Sequence, residues 1–147
     1  MEWKVKSFEE LTVNELYEIC KARFQVFTCG QKIYEENDFD GIDKVVYHLF
    51  LQDGDKVVAY ARVIPKGITY EEAAIGRVLV LDEYRRRGIA TELMKRSIEF
   101  LKKELKEDKI VLSAQVYAKS LYEAGGFRTA SDIYNEVDIP HIKMVLD

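Results

Sequence analysis

Ile75-Gly76-Arg77-Val78-Leu79-Val80-Leu81-Asp82-Glu83-Tyr84-Arg85-Arg86-Arg87-Gly88-Ile89-Ala90-Thr91 is the stretch on which the reading of this chain turns. An apolar run of strand character breaks into a basic turn with one glycine, and a helix-forming sequence follows at once. The first amides of a helix lack intrahelical acceptors, and the aligned peptide dipoles add partial positive charge there, so the turn is a seat for a phosphate or another anion. Gly88 lets that anion approach the backbone with no Cβ in the way. Arg85, Arg86 and Arg87 add attraction and charge-assisted hydrogen bonds. By itself the segment also fits a solvated charge run at a helix entrance, and other segments must decide. No glycine-rich loop closes on Lys followed by Ser or Thr, and no G-x-G-x-x-G follows a strand, so the kinase, ATPase and dinucleotide-binding readings lose their weight.

Working outward, 147 residues with 48% hydrophobic composition allow one well-filled core and are short for two, so residues 1–147 read as a single domain. A net charge of −4 argues against a nucleic-acid binder, which needs a broad basic face. Cys20 and Cys29 have neither zinc-ligand nor redox spacing, and Met1-Glu2-Trp3-Lys4 lacks the apolar core of a secretory signal, so a reduced, cytoplasmic protein is expected. No apolar run approaches the ~20 residues that span a bilayer, and no membrane partner is expected.

Trp3-Lys4-Val5-Lys6 alternates as a short strand does. Leu11-Thr12-Val13-Asn14-Glu15-Leu16 then carries a capping box, with Thr12 and Glu15 reciprocally bonded and Leu11 stapled onto Leu16. Leu16, Ile19, Cys20, Arg23, Phe24 and Phe27 recur at helical spacing. From Thr28 to Asp43 the periodicity fails in an acidic segment that is either a solvated loop or a substrate-facing one. It is not a calcium loop: placing Asp38, Asp40 and Gly41 at the third, fifth and sixth positions puts Tyr47 where a bidentate Glu is required. Residues 45–52 and 57–65 form a hairpin across Asp53-Gly54-Asp55-Lys56. A strand over 74–81 leads into the basic turn, and Leu93, Met94, Ile98, Leu101 and Leu105 trace an amphipathic helix. A buried strand over 110–114, a short helix over 117–123 stopped by Gly125-Gly126, and a final strand pair over 127–134 and 142–146 complete the chain. The order implies an α/β (α+β) domain with a mixed sheet flanked by helices.

Two segments carry a resemblance. The strand followed by Arg85-x-x-Gly88-x-Ala90, and the later strand followed by Ala118-Lys119-Ser120-Leu121-Tyr122-Glu123-Ala124-Gly125-Gly126-Phe127, resemble the two signature segments of the GNAT superfamily of N-acetyltransferases, and the element order matches along essentially the whole chain. Val26-Phe27 with Gln31 and Tyr34-Glu35, Tyr60-Ala61-Arg62-Val63-Ile64-Pro65, Ile75-Gly76-Arg77-Val78, Ser113-Ala114-Gln115 and Asp138-Ile139-Pro140-His141-Ile142-Lys143-Met144 resemble the ElaA-type subgroup. The chain departs from that subgroup at Thr28-Cys29-Gly30 and at Val137.

The resemblance implies a GNAT-like fold with a mostly antiparallel mixed sheet, and acetyl transfer from acetyl-CoA, with no metal, to a primary amine of a small molecule or peptide. Backbone groups of Val78, Leu79 and Val80 would bind the pantetheine arm, the segment Arg85, Arg86, Arg87, Gly88, Ile89, Ala90 and Thr91 the pyrophosphate, and Gln115 the pantetheine. Tyr122 would be the general acid for the departing thiolate. A noncatalytic CoA-binding module on the same fold is the alternative, and a homodimer is left open. His48, in an apolar strand, reads as structural; His141, after Pro140, is a candidate for the acceptor site. Arg62 and Arg77 either pair with the acidic loop or serve substrate. No sequence feature supplies a base for Cys29 as nucleophile. Residues Glu35, Glu36 and Asp38 of the acidic loop would attract a cationic acceptor.

Overall fold

The computed structural model describes residues 1–147. In chain order its elements are β1 (Glu2–Ser7), α1 (Val13–Arg23), β2 (Tyr47–Asp53), β3 (Lys56–Ile64), β4 (Ala73–Val80), α2 (Ile89–Glu99), β5 (Ile110–Gln115), α3 (Lys119–Ala124), β6 (Arg128–Thr129), β7 (Tyr134–Glu136) and β8 (Ile139–Leu146). Both long helices run on in a widened final turn, α1 through Phe24–Gly30 and α2 through Phe100–Glu104. Eight strands form one sheet in the order β1-β2-β3-β4-β5-β8-β6, with β7 also on β8. Every neighbouring pair is antiparallel except β4 and β5. The expectation of a mixed, mostly antiparallel sheet is met. Strand β3 is buried from Val57 to Ile64 and contacts both α1 and α2, so its near-continuous apolar run reflects cover on both faces.

The capping box forms as read: the Glu15 amide donates to Thr12 Oγ1 at 3.0 Å, and the Thr12 amide donates to Glu15 Oε1 at 2.9 Å. The sequence did not reveal that the same carboxylate also takes Lys4 and Lys6 from β1, each at 3.0 Å, and so ties the first strand to the first helix. Burial, the largest influence, pushes the Glu15 pKa up, but the Thr12 amide and the two lysines outweigh it and hold it at about 2. A depressed folded-state pKa means the unfolded chain binds more protons in acid. The resulting stability is complete above the ordinary value of 4.5 and is lost as pH falls toward about 2. Glu15→Gln is therefore expected to lower unfolding stability by on the order of 2 kcal/mol at neutral pH and to flatten its acid dependence. Urea titrations across that range measure this; parallel curves for variant and parent would contradict it.

The carboxy-terminal region differs in detail from the expected strand pair. Three strands form there, because β7 and β8 make a hairpin across Val137 and Asp138, both at positive φ (48° and 59°). Such turns favour Asn-Gly or Asp-Gly, and a valine in the left-handed region is a strained choice, so the turn carries no recognisable sequence signal. Gly126, at φ 102°, ends α3 where a Cβ would lie 3.1 Å from Leu146 Cδ1.

Candidate active site

Strands β4 and β5 pair in only two places, Ala73 with Ile110 and Ala74 with Val111. Beyond them the strands part. The cause is on β4: its register with β3 shifts between Tyr60 and Arg62, and Arg77 in that interval sits at φ 52°. A bulge of this kind bends its strand away from the neighbour. The gap is a cavity of about 790 Å³ walled by Gly76 to Val80 of β4, by Leu112, Ser113 and Gln115 of β5, by the start of α2 and by Tyr122 of α3. Of the twelve residues read from the sequence as site residues, eleven line it: Val78, Leu79, Val80, Arg85, Arg86, Gly88, Ile89, Ala90, Thr91, Gln115 and Tyr122. Arg87 does not. Its guanidinium lies 5.0 Å over the Tyr84 ring and donates to the Glu83 carbonyl at 3.3 Å.

The amino end of α2 has the character of an anion seat. Its first bond runs from the Glu92 amide to the Gly88 carbonyl at 3.1 Å, leaving the amides of Ile89, Ala90 and Thr91 without helical acceptors. No side chain caps them. Gly88 holds φ 76°, and a Cβ there would meet no atom within 4 Å, so the space beside these amides is open. Arg85 is braced by Asp82 at 2.7 Å and by the Val80 carbonyl at 3.1 Å. A coenzyme with a pyrophosphate and an extended arm fits this donor set and a split between strands. Gln115, expected to contact pantetheine, exchanges two amide hydrogen bonds with Gln31, at 3.0 and 3.1 Å, which tie the segment after α1 to the end of β5.

Tyr122 is 8% exposed and packs edge-on against Phe127 at 6.3 Å. The only side-chain polar atom that is buried without a partner is Arg62 Nε. The Tyr122 hydroxyl makes no protein hydrogen bond and is absent from that class, so its oxygen opens to the cavity. Burial, aided by Tyr117, raises its pKa to about 12, which keeps it protonated at neutral pH and able to donate.

At the opposite end, the acidic loop is largely neutralised. Arg23 takes Asp38 at 2.9 Å and Asp43 at 2.8 Å; Arg62 holds Asp40 through both nitrogens at 2.9 Å; Arg77 takes Asp38 at 2.8 Å. Of the two readings open for Arg62 and Arg77, pairing with the loop is the one that forms. Asp38 is thus a paired residue and not a free anion, Glu35 does not line the cavity, and Glu36 does. His48 is structural, as expected: Nδ1 is 2.7 Å from the Tyr60 hydroxyl and Nε2 2.8 Å from the Asp43 carbonyl, and burial lowers its pKa. His141 lines the cavity.

The sequence reading did not single out Tyr134 or Glu136. The registers Gln115↔His141, Ser113↔Lys143 and Tyr134↔His141 bring Ser113, Gln115, Tyr134, Glu136 and His141 to one face by strand alternation. That signal exists only once the register of β7 on β8 is known.

With this geometry in place, comparisons with known proteins identify the class. Residues 14–147 match the family model described as an acetyltransferase (GNAT) domain, and the chain belongs to that family. A UPF0039 protein of Schizosaccharomyces pombe is 41% identical over 150 residues, covering 100% of this chain and 97% of the relative. Protein ElaA of Escherichia coli is 30% identical, covering 98% and 95%. The crystal structure of Escherichia coli ElaA superimposes with a TM-score of 0.90 at 31% identity, and that of an acyl-CoA N-acyltransferase from Pseudomonas aeruginosa with 0.92 at 30%, each over 100% of both chains. The ElaA-type resemblance and the GNAT fold both hold. No helix is long and apolar enough to cross a membrane.

Proposed function

We propose that this chain is an acetyl-CoA-dependent N-acetyltransferase that moves the acetyl group directly to a primary amine of a small molecule or peptide. One observation carries this reading: the uncapped amides of α2 and the free Tyr122 hydroxyl open into the same cavity, where β4 and β5 part. Likeness to an acyl-CoA N-acyltransferase at 30% identity over the full chain supports it.

In this reading the bound thioester supplies the acetyl group, and the chain does the rest. The amides of Ile89, Ala90 and Thr91, with Arg85 and Arg86, hold the pyrophosphate. Backbone groups of Val78, Leu79 and Val80 at the bulge orient the pantetheine arm, and Tyr122 gives a proton to the leaving sulfur. The Gln31–Gln115 amide pair has the donor and acceptor pattern that a pantetheine amide requires, so Gln115 would meet the cofactor by exchanging one partner for another. Glu36 on the rim, with no lysine or arginine paired to it, favours a cationic acceptor over an anionic one.

The test is release of free CoA from acetyl-CoA, measured with a thiol reagent, across polyamines, amino acids, aminoglycosides and peptide amino termini. Amine-dependent release is expected; acetyl-CoA binding without release for any amine would make the chain a noncatalytic CoA-binding module. Gly88→Val is expected to weaken acetyl-CoA binding at least tenfold, because a branched side chain fills the open space beside the amides. The fold bears only the left-handed backbone cost of roughly 1–2 kcal/mol. Calorimetry on the folded variant decides, and parental affinity would relocate the phosphate seat.

A further inference from the structure

We infer that His141 is the general base that deprotonates the acceptor amine through Nε2, with Glu136 holding the ammonium beside it; this rests on the acyl-transfer reading above. His141 is 5% exposed, lines the cavity and has one ring nitrogen committed. Nδ1 lies 2.7 Å from the Ile139 carbonyl, which can only accept, so Nδ1 carries the proton of the neutral ring and Nε2 keeps its lone pair. Nε2 makes no hydrogen bond, and like the Tyr122 oxygen it is not among the sealed, unpartnered atoms. Its nearest charged neighbour is Glu136 Oε2 at 3.4 Å. In the neutral ring a lone pair therefore faces a carboxylate with no proton between them. A group that supplies protons and positive charge together, such as an ammonium, completes that pair.

The surrounding groups suit the same occupant. The Tyr134 ring stacks on the imidazole at 6.2 Å and 22°, and its hydroxyl is hydrogen-bonded to Ser113 Oγ, which donates to Glu136 Oε2 at 3.4 Å. Gln115 is paired with His141 across β5, and Lys143, two residues along β8, is drawn off over the Tyr70 ring at 5.6 Å. Tyr70 also feels Tyr134 and Glu136. Glu136 is therefore the one carboxylate facing His141, and it stands on the exposed rim where an incoming cation meets it first. His48 provides the contrast within one chain: both of its nitrogens are engaged, in the opposite tautomer, with Nε2 donating to Asp43 and Nδ1 accepting from Tyr60.

The proton balance closes with these two side chains. The ammonium gives its first proton to His141 Nε2, which passes it to solvent. The freed lone pair forms the C–N bond at the thioester carbon as the C–S bond breaks. Tyr122 protonates the sulfur, and the second proton leaving nitrogen restores Tyr122. The sum is one amide, one thiol and one released proton. Primary amines that are ammonium ions at neutral pH are the substrate class this pair serves.

Nitrogen NMR on the full chain at about pH 8 distinguishes the tautomers of the two imidazoles. Expected is His141 with a bare Nε2 and His48 with a protonated one; a proton on His141 Nε2 overturns the assignment. In His141→Ala, acetyl-CoA affinity should stay within about twofold, while thiol release with phenethylamine or putrescine should fall by at least ~10²-fold and recover in part on adding free imidazole. Equal release by variant and parent defeats the base and leaves the acetyltransferase reading standing. A parent that releases no thiol with either amine counts against the acyl-transfer reading instead, and the nitrogen spectrum still decides whether Nε2 is bare.

Discussion

Tyr122→Phe is expected to bind acetyl-CoA as the parent does and to transfer its acetyl group roughly 10²–10⁴-fold more slowly, the loss that follows removal of a general acid. The phenyl ring keeps the edge-on contact with Phe127 at 6.3 Å and the buried volume, so fold and cleft survive. Only the oxygen goes, and no protein group depends on it. Because burial holds the Tyr122 pKa at about 12, the hydroxyl keeps its proton across the range in which amines are assayed, while a free thiol ionises near ~8.5. Proton transfer from Tyr122 to a departing thiolate is therefore uphill in isolation. It must be coupled to C–S cleavage or to proton return from the new amide nitrogen. Single-turnover measurements that isolate acyl transfer, alongside calorimetry for acetyl-CoA, give both halves of the prediction; unchanged turnover with chemistry rate-limiting would falsify the role.

Arg23→Met is expected to destabilise the protein by about 3 kcal/mol, a fall in Tm of roughly 6–12 °C for a domain of this size. The Arg23 side chain is only 2% exposed, grips Asp38 and Asp43, donates to the Asp38 carbonyl at 2.8 Å and lies 5.6 Å over the Tyr60 ring. Methionine fills the volume but leaves two half-buried carboxylates short of a partner, with Asp38 kept only by Arg77 and Asp43 only by Arg62 at 3.2 Å. Arg23→Lys should fall between parent and methionine variant, since one ammonium cannot reproduce the forked contacts. Asp38 and Asp40 line the cavity, so the methionine variant should also show a raised KM for whatever amine the parent uses. Thermal unfolding and steady-state kinetics on the three proteins check the order. Equal Tm values would mean that the arginine cluster contributes no net stability.

How much could be read beforehand differs between the two ends of the cleft. The end lined by the start of α2 was legible because its signals are local: Arg85, Arg86, Gly88, Ile89, Ala90 and Thr91 are consecutive or nearly so, and a phosphate-compatible turn followed by a helix start needs no distant partner. The one residue of that segment turned elsewhere, Arg87, is held by Tyr84 and Glu83, a preference that charge alone does not reveal. The other end was legible only in part: His141, Glu36, Asp38, Arg62 and Arg77 were singled out and line the cavity, but their pairings join segments far apart in sequence. Asp38 and Asp40 are only carboxylates in a row until Arg23, Arg62 and Arg77 arrive from α1, β3 and β4. Tyr134 and Glu136 belong to a strand whose turn, Val137-Asp138, has none of the residues by which such turns announce themselves.

The sequence alone determined the order of strands and helices as far as α3, the capping of α1 by Thr12 and Glu15, and the glycine turn into α2. Each of these rests on spacing within a few residues, where backbone geometry and side-chain reach leave few choices. Tertiary structure decided where β4 and β5 part, which arginines silence which aspartates, and that Gln31 meets Gln115 from 84 residues away. Those outcomes depend on strand register and on burial: a shift of one residue turns every side chain of a strand to its other face.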